Sequence, residues 1–167
     1  MRLFICMAGL AFAGLAAAQH HSSHPYAGQQ ERAIKSLSAD EVAGYLSGAG
    51  MGFAKAAELN GYPGPMHSLE NADALALTAA QRDEIGKVMH AHKQEARKLG
   101  EEVVRLEKEL DALFASRSAT PQLVDAKVEQ LAAAQARVRA SHLKAHLATT
   151  ALLTAQQVDR YKQARGY

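Results

Sequence analysis

The chain is poor in the residues that build disulfide frameworks and aromatic cores. Its 167 residues include one cysteine, Cys6, no tryptophan, four phenylalanines and five tyrosines. A lone cysteine excludes an intramolecular disulfide and a multi-thiolate metal site. The scarcity of aromatic side chains, together with abundant alanine, favours helices that meet along thin seams over a thick globular core.

Sequence signatures of the common enzyme classes are also missing. The chain has no glycine-rich phosphate loop, no Gly-x-Ser-x-Gly elbow and no His-Glu-x-x-His pattern. We therefore expect no enzymatic activity and no required cofactor. Lysine and arginine nearly balance aspartate and glutamate, 19 against 17, and the two signs are interleaved. Overall charge thus identifies no partner, and nucleic acid is not an expected one.

The N-terminus has the pattern of a secretory signal. Arg2 precedes an apolar run over residues 3–15, and Ala16-Ala17-Ala18 offers a small-residue cleavage site. The run is too short to span a membrane. We expect residues 1–18 to be a cleaved signal peptide, the mature chain to begin at Gln19 without a membrane span, and the protein to be periplasmic. Cys6 leaves with the signal.

A five-residue pattern, Leu-Thr-x-x-Gln, occurs twice. The copies are Leu77-Thr78-Ala79-Ala80-Gln81 and Leu153-Thr154-Ala155-Gln156-Gln157. Thr followed three residues later by Gln is a capping box, in which each side chain bonds the other residue's backbone amide. Each copy therefore predicts a helix start. The residues to which this structural role is assigned are Leu77, Thr78, Gln81, Leu153, Thr154 and Gln157.

Apolar residues spaced alternately by three and four positions predict a long helix from Thr78 to about Phe114. Thr120-Pro121 then starts a second long helix, with Thr as cap and Pro in the first turn. The short loop makes the two helices antiparallel neighbours. In antiparallel helices, the residue numbers of facing residues add up to a constant. This rule pairs Leu106 with Leu131 and Leu99 with Val138. Gly100 is a candidate bend.

Shorter helices are predicted before this hairpin. The capping box that begins at Ser38 starts one helix, which ends at the glycine cluster from Gly48. A second is predicted over residues 53–59, before Asn60-Gly61. A turn over residues 62–65 and a third helix over residues 67–75 follow.

These elements give an all-α fold: a long antiparallel helical hairpin with short flanking helices, its hairpin core framed by the two capped motifs. The expected organisation is a signal peptide (1–18), a flexible His-containing tail (19–35) and a single all-helical domain (36–167). Within that domain, short helices occupy residues 36–76 and the hairpin core residues 77–167. One thin hairpin buries little apolar surface, so we expect a homodimer.

A signal peptide, an all-helical chain and two Leu-Thr-x-x-Gln motifs around a long hairpin resemble the CpxP/Spy/ZraP family of bacterial periplasmic proteins. The resemblance covers about residues 75–167. It implies a curved helical dimer and one of three roles: an ATP-independent chaperone, a regulator of an envelope-stress sensor kinase, or a zinc-binding protein linked to heavy-metal stress. It does not select among them. Unfolded or misfolded periplasmic proteins are the partners it implies for the first role, and a sensor kinase for the second.

Histidines at the open end of the hairpin form one candidate metal site. The antiparallel pairing places His92 opposite Ala145 and Glu95 opposite His142, and His146 shares a helix face with His142. A divalent ion such as zinc accepts imidazole and carboxylate ligands. The alternative is that these histidines are packed amphipathic residues of the seam. The predicted ligands are His92, Glu95, His142 and His146.

The tail offers a second candidate metal site. If cleavage follows Ala18, His21 is the third mature residue, and its imidazole, two amides and the free amine suit square-planar Cu(II) or Ni(II). Cyclisation of Gln19 to pyroglutamate would block the amine, and a solvated tail is the alternative. The residues concerned are Gln19, His20, His21 and His24.

Basic residues at the same end of the hairpin suggest a surface for unfolded or acidic clients, attracted by charge and held weakly by apolar burial. A solvated helical face is the alternative. We rank an ATP-independent periplasmic chaperone first, a divalent-metal binding or heavy-metal sensing protein second and a kinase regulator third. The predicted client-binding residues are Lys87, Lys93, Arg97, Lys98, Arg137, Arg139 and Lys144.

Overall fold

The computed structural model describes residues 25–167. Over this range every regular element is a helix and there is no strand, which confirms the all-helical prediction. A 3-10 turn at Gln29–Glu31 precedes six helices. They are α1 (Ala39–Ser47), α2 (Lys55–Glu58), α3 (Pro65–Glu70), α4 (Ala79–Ala115), α5 (Pro121–Thr150) and α6 (Ala155–Arg165).

Helices α4 and α5 pack along each other as an antiparallel hairpin. Thr78 caps α4 and Thr120 caps α5, where Pro121 occupies the first turn. One buried cluster contains Leu99, Val103 and Leu106 of α4 together with residues of α5 that include Leu131 and Val138. The predicted pairs Leu106 with Leu131 and Leu99 with Val138 therefore belong to the same core.

The short helices cover one side of this hairpin. Helix α1 contacts α4 most extensively, and its Tyr45 joins the hairpin core. Its backbone crosses α4 at Gly100, where an added Cβ would lie 2.2 Å from the Tyr45 carbonyl oxygen. Gly100 was a candidate bend; its position shows that it permits a close approach of two backbones within an uninterrupted α4.

The short helices differ in extent from the prediction. Helix α2 covers only Lys55–Glu58 instead of residues 53–59, because the Phe53 amide is bonded in a turn to the Gly50 carbonyl. Helix α3 starts earlier than residue 67, at Pro65, and ends at Glu70. The Asn71 side-chain amide donates to the His67 carbonyl, a local bond that competes with helix continuation.

A second buried cluster joins the start of α4 to α6. Leu75, Leu77 and Ile85 pack there against Tyr161 of α6. Ile34, within the stretch predicted to be a flexible tail, is buried in the hairpin core. None of the helices in residues 25–167 combines the length and apolar character that crossing a membrane requires. The predicted signal peptide lies outside the described residues.

Candidate functional site

The two Leu-Thr-x-x-Gln motifs form two complete capping boxes. The Thr78 hydroxyl accepts from the Gln81 amide at 3.1 Å, and the Gln81 side-chain oxygen accepts from the Thr78 amide at 3.1 Å. The same two bonds join Thr154 and Gln157 at 3.3 Å and 2.9 Å. Each motif therefore begins a helix, α4 in one case and α6 in the other.

The two glutamines of these motifs also bond each other. Each side-chain NH₂ donates to the other's oxygen at 2.9 Å. Gln81 donates further to the Leu152 carbonyl at 2.8 Å, and Gln157 to the Ala76 carbonyl at 3.4 Å. Both carbonyls lie two residues before the capping threonine of the opposite motif, so the contact is nearly two-fold symmetric. The motifs thus join the two helices at the open end of the hairpin, which we call its base.

A cavity of about 250 Å³ lies between the short helices and the open end of the hairpin. We call it the histidine cavity. Its lining includes four histidines and two methionines, contributed by α3, α4 and α5: His67, His92, His142, His146, Met66 and Met89.

His142 is the most deeply buried histidine of this lining, with 5% of its surface exposed. Its Nδ1 lies 3.1 Å from the His92 Nε2 atom, and the Phe53 ring stacks on it at 5.6 Å between centroids. His92 Nδ1 lies 3.2 Å from the Ser141 hydroxyl. The His142 Nε2 atom is buried and has no hydrogen-bond partner among the described residues.

Burial keeps this histidine pair uncharged. It lowers the pKa of His142 to about 4, and the nearby His92, His146 and Lys93 act in the same direction. Burial also lowers the pKa of His92, again helped by His146 and Lys93. Both imidazoles are therefore neutral at neutral pH and offer nitrogen lone pairs.

His146 contacts the end of α2 and the segment that connects α2 to α3. Its Nδ1 lies 2.7 Å from the Tyr62 carbonyl oxygen and 3.6 Å from Glu58. The ring occupies the space that a side chain at Gly64 would fill, since an added Cβ would lie 2.8 Å from it. Burial raises the pKa of Glu58, but bonds from Tyr167, Tyr161 and Arg165 outweigh it, and the pKa falls below its ordinary value.

The four predicted zinc ligands are only partly brought together. His92 and His142 are in contact, and His146 lines the same cavity. Glu95 is exposed and lines a different feature, the groove between the long helices. Within residues 25–167 no group of three or more His, Cys, Asp and Glu side chains is placed to hold a metal ion. The tail candidates Gln19, His20, His21 and His24 lie outside the described residues.

That groove is open and has a volume of about 530 Å³. All the residues that line it belong to α4 and α5, and most are apolar or small. Arg137, Lys144 and Glu95 add charge. We call it the open groove. Its lining consists of Val88, Ala91, His92, Glu95, Leu99, Arg137, Ala140, Ser141, Lys144, Ala145 and Ala148.

Two of the seven predicted client-binding residues, Arg137 and Lys144, line the open groove. Arg137 also pairs with Glu102 at 2.7 Å. Lys93 lines the histidine cavity instead. The other four lie elsewhere: Lys87 pairs with Asp83 and Glu84, Arg97 donates to the Ser47 carbonyl at 3.4 Å, and Lys98 and Arg139 are exposed.

Sequence reasoning missed the other residues that surround the histidines of this cavity. Phe53 stacks on His142, and the Tyr62 carbonyl bonds His146. Met66 and Met89 line the cavity. The signal that points to them is Gly64, a glycine in extended conformation whose missing side chain lets the His146 ring approach.

The fold and the sites define an all-helical protein built on a long antiparallel hairpin, with a histidine cavity beside its short helices and an open groove between its long ones. No protein-family model, no curated protein and no solved structure matches this chain.

Proposed function

We propose that the protein is an ATP-independent periplasmic chaperone that holds segments of unfolded proteins in the open groove. The observation that carries this proposal is the groove itself. It is about 530 Å³ in volume, it is open to solvent, and its lining is mostly apolar or small side chains.

The chemistry of the lining fits a weak, unspecific binder. Val88, Leu99 and several alanines offer apolar surface, and burial stabilises a client by roughly 25 cal/mol for each Å² removed from water. Arg137 and Lys144 attract acidic segments, while Glu95 meets basic ones. Because the groove is open to solvent, a client bound there stays partly in contact with water. A client can therefore leave without nucleotide hydrolysis once it folds.

We further propose that the active form is a homodimer. Large apolar side chains remain exposed around the tip of the hairpin: Phe114 at 60%, Leu123 at 47% and Val128 at 47%. Exposed apolar side chains grouped in this way are typical of an interface between protein chains. They lie outside the open groove, so a second copy seated on them would leave the groove accessible.

Blocking the groove tests the chaperone proposal. Ala91→Glu places a long charged side chain in the groove, and Ala133→Glu makes the same change at an exposed α5 position outside it. Light scattering of a chemically unfolded client protein, diluted into buffer with each variant, measures suppression of aggregation. We expect the wild-type protein and Ala133→Glu to suppress it equally, and Ala91→Glu to need about tenfold more protein.

Two results would contradict the proposal. Equal suppression by Ala91→Glu and Ala133→Glu, with both variants fully helical, would remove the groove as the binding surface. Suppression by the wild-type protein that disappears with a chelator would make metal binding the primary function.

A further inference from the structure

The histidine cavity shares His92 and Ala145 with the open groove, but the chemistry of its lining is different. Six of its lining residues carry nitrogen or sulfur lone pairs: His67, His92, His142, His146, Met66 and Met89. None of the described residues that line it carries a carboxylate, and Lys93 adds a positive charge. This composition disfavours hard divalent cations, which prefer oxygen ligands.

Three of these histidines have one ring nitrogen fixed by an acceptor. A carbonyl oxygen only accepts, so His146 Nδ1 must donate to Tyr62, and in the neutral ring Nε2 carries the lone pair. His67 Nδ1 lies 2.8 Å from a Glu70 oxygen, which also only accepts when ionised. In the same way, the neutral His67 ring has its lone pair on Nε2.

His142 follows the same pattern through a relay. When His92 Nδ1 donates to the Ser141 hydroxyl, its Nε2 accepts from His142 Nδ1. The lone pair of His142 then lies on Nε2, the buried atom without a partner. Histidines that bind metals commonly donate their other ring N–H to such a partner, which fixes the tautomer and the ring orientation.

We propose that the histidine cavity binds a soft monovalent metal ion, Cu(I) or Ag(I), through the Nε2 atoms of His142 and His146 and the thioethers of Met66 and Met89. His142 and His146 are four residues apart on α5, so they share a helix face. Thioethers are soft ligands that suit Cu(I), and they are not among the usual protein ligands of zinc. A single positive charge is also repelled less by Lys93 than a double one.

Within residues 25–167, no group of three or more His, Cys, Asp and Glu side chains is placed to hold a metal ion. A structural zinc site takes four nitrogen, sulfur or carboxylate ligands. The proposed site uses two imidazoles and completes its coordination with sulfur. His92 is then a positioning residue for His142, since both of its ring nitrogens are occupied.

Silver titration followed on methionine methyl groups tests the proposal. The full chain labelled with ¹³C-methyl methionine receives Ag(I), and the methyl resonances report which thioethers bind it. We expect the Met66 and Met89 signals to shift together, while Met51, which does not line the cavity, stays unchanged. This readout separates the cavity from histidines elsewhere in the chain.

Matched variants identify the ligands. Met89→Leu is compared with Met51→Leu, and His142→Gln with the exposed His90→Gln. We expect Ag(I) affinity, measured by competition with a chromogenic chelator, to fall at least about tenfold in each cavity variant and less than about twofold in each control. Met89→Leu conserves volume, so it keeps the test valid if His142→Gln fails to fold.

Three outcomes would overturn the proposal. The first is Met66 and Met89 signals that do not move on addition of Ag(I). The second is unchanged Ag(I) affinity in Met89→Leu. The third is Zn(II) that binds as tightly as Ag(I) with the same dependence on His142, which would assign the cavity to a divalent ion.

Discussion

At the scale of single residues, the Gln81–Gln157 pair is the contact that joins the two motifs. Each glutamine caps its own helix and donates to the other. Replacing either by alanine removes bonds at both helix starts, so the two changes together should cost less than the sum of each alone. We expect a coupling energy of about 1 kcal/mol in a double-mutant cycle of Gln81→Ala and Gln157→Ala, measured by urea unfolding.

The adjacent Gln156 provides the control for this cycle. It is exposed, and Gln156→Ala should leave the free energy of unfolding within about 0.5 kcal/mol of wild type. Strict additivity of the Gln81 and Gln157 changes would show that the two motifs act independently.

His142 gives the protein an acid-sensitive stability. Its pKa is about 4 in the folded chain against 6.5 ordinarily, mainly because of burial. Between about pH 4 and about pH 6.5, His142 is protonated in the unfolded chain but neutral in the folded chain. The free energy of unfolding therefore falls as the pH drops from about 6.5 to about 4. The expected loss from this residue is about 2–3 kcal/mol, and it is absent above pH 7.

Urea unfolding at several pH values measures this loss. His142→Phe keeps an aromatic ring against Phe53 and removes the titrating group, so its stability should change less over the same range. The exposed His90→Gln should keep the wild-type pH dependence. Identical pH profiles for wild type and His142→Phe would assign the acid sensitivity to other groups.

At the scale of elements, the crossing of α1 over α4 depends on Gly100. A Cβ there would lie 2.2 Å from the Tyr45 carbonyl oxygen, a backbone atom that cannot turn aside. Gly100→Ala must therefore move α1, and we expect it to lower the free energy of unfolding by about 1–3 kcal/mol.

Gly86 offers the matched control in the same helix. An added Cβ there meets nothing within 4 Å. Gly86→Ala should therefore raise stability by up to about 1 kcal/mol, through helix propensity alone. Thermal unfolding of both variants, followed by circular dichroism, compares them directly. A stabilising Gly100→Ala would mean that α1 does not approach α4 closely.

Local signals were sufficient to predict the long elements. Ser38, Thr78, Thr120 and Thr154 each cap a helix whose start the sequence predicts, because a cap depends on residues three positions apart. The ends of α2 and α3 were less predictable. They depend on turns and on the Asn71 side chain, whose competing bonds have no periodic signal.

The candidate sites were only partly predictable, for a physical reason. Seam pairing alone brought His92 and His142 to the same end of the hairpin, and they are in contact. It placed Glu95 opposite His142, whereas Glu95 lines the open groove. The pairing considered only α4 and α5 and ignored the segments that pack on them. Phe53, in the turn before α2, contacts His142 of α5 although it is far away in sequence, so a pairing of α4 with α5 alone cannot predict this contact.

At the scale of the whole molecule, the hairpin has a different feature at its base, its middle and its tip. The base is fastened by the paired motifs, the middle carries the open groove, and the tip exposes apolar side chains. The short helices contribute to the core next to the middle but leave Phe114 60% exposed. The tip therefore has exposed apolar surface that a partner chain could bury.

This arrangement leads to a prediction about assembly. We expect the wild-type protein to sediment as a dimer at micromolar concentration, and Phe114→Glu to sediment as a monomer, because a charge in an apolar interface costs several kcal/mol. Glu70→Gln, a change of charge at an exposed site away from the tip, is the control and should remain dimeric. Since the open groove lies outside the tip, the monomeric variant should still bind a client, with lower avidity per assembly. A dimer unaffected by Phe114→Glu would place the interface elsewhere, and competition between dimerisation and client binding would place it on the open groove.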